Sequence, residues 1–314
     1  GKFRFDPPNL VINGGTVRYS GSTGGDWRSF TVLSGGATFD SPTSGVTWSM
    51  NNSAQTPVIS GDLTFTGAGN IVLNHNLTGS GYSIIKNGSG TLTLGGNNTY
   101  TGATLVNAGT LSVASSTGLG STASGTTVAS GAALEFTGGI TVADAISVTG
   151  TGVSSAGALR NLSGVNAVTG LVTLTGNTEV QSDAGSLTFM PSSGNAFTGN
   201  YNLTFDGAGT TMSGALGIGT GSLTKQGTGT FNLLTANNYT GNTTLSGGTL
   251  GVYDNASIST GTLTAAGGTT VMFGRGVNNF ANNMTLNGSV TFDLDSTVDY
   301  LLVGGGGGGG GDGG

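Results

Sequence analysis

The sequence has no cysteine, one histidine and few charged residues, which make up 7% of its 314 residues. The lack of cysteine excludes a disulfide framework, a thiol nucleophile and a cysteine-based metal site. Ordinary soluble domains are roughly 25% charged, so this surface is unusually uncharged. The formal net charge of −6 and the scarcity of basic residues disfavour binding to nucleic acid. No apolar run reaches about 18 residues, so we predict no membrane span.

Glycine, by contrast, is abundant, with 63 residues, about three times its usual share. A hydrophobic content of 35% with little charge argues against disorder. Collagen is excluded because glycine has no strict triplet period and prolines number only five. No stretch of roughly a dozen residues shows a helical apolar period, and Thr, Val and the aromatic residues favour strands. The sequence therefore predicts an all-β protein of short strands between Gly and Asn turns.

One small unit recurs along the chain, a glycine turn followed by a strand in which apolar and polar residues alternate. Residues 109–113, 131–136 and 288–292 are examples, and successive turns lie roughly 20 to 25 residues apart or at about twice that distance. Such a unit buries its apolar face only by stacking on the next one. We therefore predict one elongated parallel β-helix (β-solenoid) over residues 1 to about 303, with ladders of Thr on Thr and Asn on Asn outside.

With about 20–24 residues per coil and a strand spacing of about 4.8 Å, the rod would be about 60–70 Å long. Alternation predicts the inward-facing residues of the repeated unit. The predicted core includes Leu92, Leu94, Leu111, Val113, Leu134, Phe136, Phe231, Leu233, Leu250 and Val252.

The longest internal match joins residues 86–113 to residues 225–252. The two segments align without a gap at an offset of 139 residues, with 14 identities in 28 positions. Their shared skeleton is Lys-x-Gly-x-Gly-Thr, then Tyr-Thr-Gly-x-Thr, then Gly-Thr-Leu-x-Val. Tyr100 and Tyr239 occupy the same place in it, as do Gly102 and Gly241.

This skeleton resembles the autotransporter-associated β-strand repeat of bacterial passenger proteins. The two copies cover 56 residues, and the rest of the chain is similar in texture rather than in motif. The resemblance implies a right-handed parallel β-helix exposed at a bacterial cell surface, and hence an extracellular or cell-surface location.

The ends of the chain differ from its middle. Residues 1–60 hold both tryptophans, Trp27 and Trp48, and the apolar Phe3 and Phe5, so we predict an N-terminal cap or connecting region there. Residues 61–303 form the β-helix, including both repeat copies. Residues 304–314 are a Gly-rich tail, either the start of a glycine-rich domain or a flexible end after the last strand.

Candidate sites are sparse. His75, the single histidine, is interpreted as an exposed residue on the polar face. The acidic residues are scattered and give no carboxylate pair for sugar hydrolysis, although Glu179 and Asp183 come closest. They are Asp62, Glu135, Asp144, Glu179, Asp183 and Asp206.

Three further carboxylates, Asp293, Asp295 and Asp299, lie near the C-terminal end, but their spacing fits no EF-hand loop. A solvated turn is the favoured interpretation. We thus predict no catalytic, cofactor-binding or metal-binding residue, no cofactor, and no enzyme.

Three functions fit this sequence. The main prediction is an extracellular structural protein, a subunit or spacer of a bacterial surface fibre or layer that self-associates head-to-tail through its solenoid ends. The alternative is an adhesin stalk or binding face for glycans or a host surface, with exposed Tyr and Asn ladders as contacts. A polysaccharide-active β-helix enzyme is the least favoured.

Overall fold

The computed structural model describes residues 10–26, 29–51 and 56–294. This part of the chain contains β-strands, one short 3-10 turn at Val153–Ser155 and no α-helix. In chain order, the strands are β1 (Leu10–Ile12), β2 (Gly15–Arg18), β3 (Gly24–Asp26), β4 (Phe30–Val32), β5 (Ala37–Asp40), β6 (Thr47–Met50), β7 (Val58–Ile59), β8 (Leu63–Thr66), β9 (Asn70–Leu73), β10 (Ile84–Lys86), β11 (Thr91–Leu94), β12 (Thr104–Val106), β13 (Thr110–Val113), β14 (Thr126–Val128), β15 (Ala133–Phe136), β16 (Thr141–Val142), β17 (Ile146–Gly150), β18 (Leu159–Asn161), β19 (Val165–Val168), β20 (Val172–Ser182), β21 (Ser186–Phe189), β22 (Phe197–Thr198), β23 (Leu203–Asp206), β24 (Thr210–Ser213), β25 (Leu216–Gly217), β26 (Leu223–Lys225), β27 (Thr230–Leu233), β28 (Thr243–Leu245), β29 (Thr249–Val252), β30 (Leu263–Ala266), β31 (Thr270–Phe273), β32 (Met284–Asn287) and β33 (Thr291–Leu294).

These strands stack as a parallel β-solenoid of about 13 turns, which confirms the predicted fold class. Face A contains β2, β5, β8, β10, β12, β14, β17, the start of β20, β22 and β25. Face B contains β3, β6, β9, β11, β13, β15, β18, the end of β20, β23, β26, β28, β30 and β32. Face C, which follows face B where a coil has a strand there, contains β16, β19, β21, β24, β27, β29, β31 and β33, with β1, β4 and β7 in the same position in the first coils.

The core runs along the axis between the three faces. Every predicted core residue is fully buried at 0% exposure, because alternation sends every second side chain inward. Like residues stack in register from coil to coil, as in the ladder Leu92, Leu111, Leu134 and Leu159. Full burial of one such side chain contributes about 1.5–3 kcal/mol. A single coil is too thin to have a core of its own, so it is stabilised by stacking on its neighbours.

The described residues before 60 already form coils of this solenoid, since β2 pairs with β5 and β5 with β8 in parallel register. Trp48 is buried in β6 and stacks on Tyr19 with ring centroids 5.3 Å apart. The division at residue 60 stays a prediction. Phe3, Phe5, Trp27 and the Gly-rich tail at 304–314 lie outside the described residues.

The two repeat copies occupy different faces. In the first copy, β10 and β12 lie on face A and β11 and β13 on face B. In the second copy, the equivalent strands β26 and β28 lie on face B, and β27 and β29 lie on face C. This assignment follows from a series of parallel neighbours on face B, in which β26 pairs with β23, β23 with β20, β20 with β18, β18 with β15, and β15 with β13. The same sequence skeleton is therefore shifted around the solenoid axis by one face.

Candidate ligand-binding face

The lysine of each repeat copy is a buried structural residue. Lys86 is 3% exposed, and its ammonium donates to the carbonyl oxygens of Asn87 (3.0 Å), Gly88 (2.8 Å) and Ala108 (3.0 Å). Lys225 makes the same set of bonds in the second copy, with the carbonyls of Gln226, Gly227 and Gly247. Burial lowers the pKa of both lysines to about 8.

Glycine is required beside these lysines. Gly88 and Gly227 adopt positive φ angles of 76° and 69°, which let the chain turn back so that its carbonyls face the ammonium. The Lys-x-Gly motif thus encodes a corner of the solenoid in which one side chain satisfies carbonyls from two successive coils.

The motif tyrosines are also buried, which corrects the expectation of exposed tyrosine contacts for them. Tyr100 and Tyr239 are both 0% exposed. The Tyr100 hydroxyl lies 2.6 Å from Thr104 Oγ1, and the Tyr239 hydroxyl lies 2.5 Å from Thr243 Oγ1. Burial raises the pKa of both phenols. The hydrogen bond satisfies the polar tip of a ring that fills the corner of a coil.

The asparagines two residues before these tyrosines tie neighbouring coils together. Asn98 Oδ1 accepts from the Leu77 N–H at 2.8 Å, and its Nδ2 donates to the Gly118 carbonyl at 2.7 Å. Asn237 repeats this arrangement with Leu216 and Ser257. The skeleton shared by the two copies therefore specifies the fold, and none of the three side-chain roles, those of Lys, Tyr and Asn, requires a ligand.

His75 is buried rather than exposed, which corrects the interpretation from the sequence. It is 0% exposed and packs edge-on against Phe30, with ring centroids 5.7 Å apart. The reason is parity: Leu73, His75 and Leu77 are each separated by two residues, so all three point inward. The polar residues of this segment are its neighbours Asn74 and Asn76.

The scattered carboxylates do not converge on one site. Arg160 joins Glu135 (Nη1–Oε1, 3.0 Å) to Asp183 (Nε–Oδ2, 2.8 Å) across the outside of face B. Gln181 also donates to Asp183, at 2.5 Å. Burial raises the pKa of Glu135, and the positive charge of Arg160 opposes that shift. Asp183 is thus engaged in an ion pair and is not a partner for Glu179.

Asp144 is a buried acid beside the first repeat copy. It is 4% exposed, accepts from Thr126 Oγ1 at 2.5 Å through Oδ2, and its Oδ1 has no hydrogen-bond partner among the described residues. Burial raises its pKa to about 6. Thr126 stacks in register on Thr104, the partner of Tyr100. Asp144 therefore belongs to an internal polar row and not to the surface.

Glu179 lines a polar groove of about 230 Å³ where faces A and B meet, next to the irregular segment around Val153–Ser155. The residue as a whole is 7% exposed, and its carboxylate accepts no hydrogen bond from the described part of the chain. Burial, and then the charge of Asp206, raises its pKa. The other groove residues are neutral and polar: Thr151, Asn177, Thr178, Asn202, Thr204, Ser222 and Thr224.

The groove opens onto two regular columns of polar side chains that run along face B. One column begins at Glu179 and continues with Thr204, Thr224, Thr244, Thr264 and Thr285, each in register with the next. The other begins at Asn177 and continues with Asn202, Ser222, Asn242, Thr262 and Asn283. The first column confirms the predicted ladder of Thr on Thr, whereas the second column mixes Asn with Ser and Thr. In the sequence, the sign of these columns is the polar residue that recurs at the start of each face B strand. It was not identified as a site from the sequence alone, because in a single repeat this residue looks like part of an ordinary turn.

The three carboxylates near the C-terminal end are only partly described. Asp293 lies exposed in the last described strand, β33, whereas Asp295 and Asp299 lie outside the described residues. Within residues 10–26, 29–51 and 56–294, no group of three or more His, Cys, Asp or Glu residues could hold a metal ion. No helix in this part of the chain is long and apolar enough to cross a membrane.

Comparison with known proteins agrees with the repeats. The passenger-associated-transport-repeat family matches residues 84–113 and 223–252, the segments that hold the lysine corners. The adhesin BmaC autotransporter of Brucella suis biovar 1 (strain 1330) is 31% identical over 296 residues, which cover 80% of this chain. The chain spans about 8% of the length of that relative. No solved structure matches the chain.

An extracellular or bacterial cell-surface location follows from these similarities. The chain is a β-solenoid that carries two passenger-associated-transport repeats and is similar to an autotransporter adhesin.

Proposed function

We propose that this chain is a segment of an adhesin that binds an external ligand through the groove beside Glu179. The observation that carries the proposal is a carboxylate that lines a groove without an internal hydrogen bond, set among amides and hydroxyls on an otherwise weakly charged rod. The similarity to an autotransporter named as an adhesin supports it. The sequence alone favoured a fibre subunit, and the comparison supports the adhesin alternative better.

The test uses beads that carry the purified chain, applied to cultured cell monolayers and washed under flow. We expect retention well above that of uncoated beads, and a clear loss of retention for Glu179→Gln combined with Asn202→Ala. The matched control is Thr173→Val combined with Thr198→Val, a stacked pair of outward threonines on face A. Retention equal to that of uncoated beads would refute the proposal.

Electron microscopy separates this function from the fibre. An adhesin segment gives separate rods about 60–70 Å long, the length expected from the strand spacing, at every concentration up to the micromolar range. Head-to-tail self-association would instead give filaments whose length grows with concentration. Filaments would favour the structural subunit.

A further inference from the structure

We infer that face B from β20 to β32 binds a linear, neutral polysaccharide that lies along the solenoid axis with one end at Glu179. The inference rests on the proposed adhesin function and gives its ligand a chemical class. It depends on two independent features, a regular double column of neutral polar side chains and an unpartnered carboxylate at the start of that column.

The threonine column provides a repeating set of hydroxyl groups. Thr204, Thr224, Thr244, Thr264 and Thr285 follow one another in register without interruption. Successive strands of a sheet lie about 4.8 Å apart, so their hydroxyls form a row with that period. A hydroxyl both donates and accepts, which suits a partner with hydroxyl groups at regular intervals.

The asparagine column adds donors beside this row. Asn177 Oδ1 accepts from the Asn202 N–H at 3.0 Å, and Asn202 Oδ1 accepts from the Ser222 N–H at 2.9 Å. Asn242 Oδ1 likewise accepts from the Thr262 N–H at 3.2 Å. These bonds fix the side chains, and the amide nitrogens of Asn177, Asn202 and Asn242 donate no hydrogen bond within the described chain. The column is thus preorganised with donors available to a ligand.

Glu179 is the feature that points to a ligand rather than to a plain solvated face. The residue as a whole is 7% exposed, its carboxylate faces the groove, and no described group donates a hydrogen bond to it. Partial burial raises its pKa, so its charge is disfavoured there until a ligand supplies donors. Two vicinal sugar hydroxyls would supply the missing donors as a bidentate pair.

Charge selects a neutral chain. Asp206 lies next to the threonine column and raises the pKa of Glu179 through its charge. Neither column contains a basic residue, and Lys225, which follows Thr224 in the chain, is buried with its ammonium bound to carbonyls. A sulfated or sialylated chain would therefore meet negative charge without a compensating cation.

The row also sets a length. From Glu179 to Thr285 it spans five strand spacings, or about 24 Å. A polysaccharide should gain contacts with each added unit until it covers this distance, and nothing afterwards.

The experiment measures binding of the chain to neutral linear β-1,4-linked gluco-oligosaccharides, from the disaccharide to the decasaccharide, by calorimetry. We expect affinity to rise with length and level off near about 24 Å. Thr244→Val with Thr264→Val should abolish the gain from the longer oligomers and leave the shortest ones unchanged. Glu179→Gln should weaken every length by roughly tenfold to a hundredfold, and Thr173→Val with Thr198→Val should change nothing. Thermal unfolding of each variant checks that it is folded.

The outcomes separate this inference from the proposed function. Beads that adhere to cells through the groove, with no binding of any oligosaccharide, would overturn the polysaccharide inference and leave the adhesin standing. Absence of both cell adhesion and oligosaccharide binding would refute both the adhesin function and the polysaccharide inference. Equal binding of a sulfated oligosaccharide of the same length would overturn the neutral preference, and affinity independent of length would overturn the axial arrangement.

Discussion

The two repeat copies share half of their residues and all of their side-chain roles, yet they face different directions. Lys86 and Lys225 occupy identical carbonyl cages, but the first lies on face A and the second on face B. If the repeat presented a ligand site, the two sites would point to different sides of the rod. The comparison teaches that the repeat builds the same coil corner on either face, and that the two copies together do not define one binding face.

The lysine cages provide the strongest test of this equivalence. Lys86→Met and Lys225→Met each remove an ammonium from three carbonyls, and the apolar replacement leaves those buried acceptors unpaired. We expect each variant to lower the free energy of unfolding by about 2–4 kcal/mol, by similar amounts in the two copies. Urea unfolding followed by circular dichroism measures this. A large loss in one copy with none in the other would break the equivalence.

A buried acid distinguishes the first copy from the second. Asp144 lies in the polar row of Tyr100, and its pKa is raised from 3.8 to about 6. Between these pH values the folded chain binds a proton that the unfolded chain does not, so stability should rise as pH falls from about 6 to about 4. The burial that raises the pKa of Glu135 and Glu179 acts in the same direction.

Urea midpoints measured from pH 7 to pH 4 check this expectation. Asp144→Asn should be more stable than the native chain at pH 7 and should lose part of the acid-side rise. Asp62→Asn, at an exposed position, controls for the removal of one negative charge. A native chain whose midpoint falls steadily over this range would contradict the assignment.

Removing the hydroxyl of either motif tyrosine should lower the free energy of unfolding by less than the lysine variants do, and by the same amount in both copies. Tyr100→Phe and Tyr239→Phe keep the buried ring and delete one hydrogen bond to a threonine. We expect a loss of about 1 kcal/mol in each copy. Adding Thr104→Val or Thr243→Val should cost little more, because both partners of the bond are then absent. Additive losses in the double variants would show that the hydroxyls act independently.

The smallest expected difference concerns the lysines themselves. The charge of Asp206 opposes the lowering of the Lys225 pKa, and no such contribution acts on Lys86. Asp206→Asn should therefore lower the Lys225 pKa below about 8 and leave that of Lys86 in place. Proton titration of the two side chains by nuclear magnetic resonance distinguishes them. Equal shifts in both would mean that the effect is not local.

Much of the fold could be predicted from the sequence, because alternation is a local property. Phe231 and Leu233 are inward for the same reason that Leu92 and Leu94 are. His75 was assigned to the wrong side because its polarity was weighed above its parity with Leu73 and Leu77. The rotation of the second copy could not be predicted, since it depends on the summed lengths of irregular coils between the copies.

The candidate face was harder to predict. A ladder of threonines such as Thr204 and Thr224 was predicted, although its members were not. The position of Glu179 depends on the irregular segment around Val153–Ser155 and on exact strand register. Neither is encoded by a short motif. A carboxylate that looked isolated in the sequence is thereby placed at the head of a column of threonines.

Strand β20, the only eleven-residue strand in the described chain, passes from face A to face B without a break. Elsewhere the two faces are joined by turns, and each coil can peel away from its neighbour. A pulling force on the rod would detach such coils one after another from the end. One strand, β20, belongs to two ladders, so we expect this coil to resist that detachment more than its neighbours. It lies directly beside the groove, where a load applied through a bound ligand would enter.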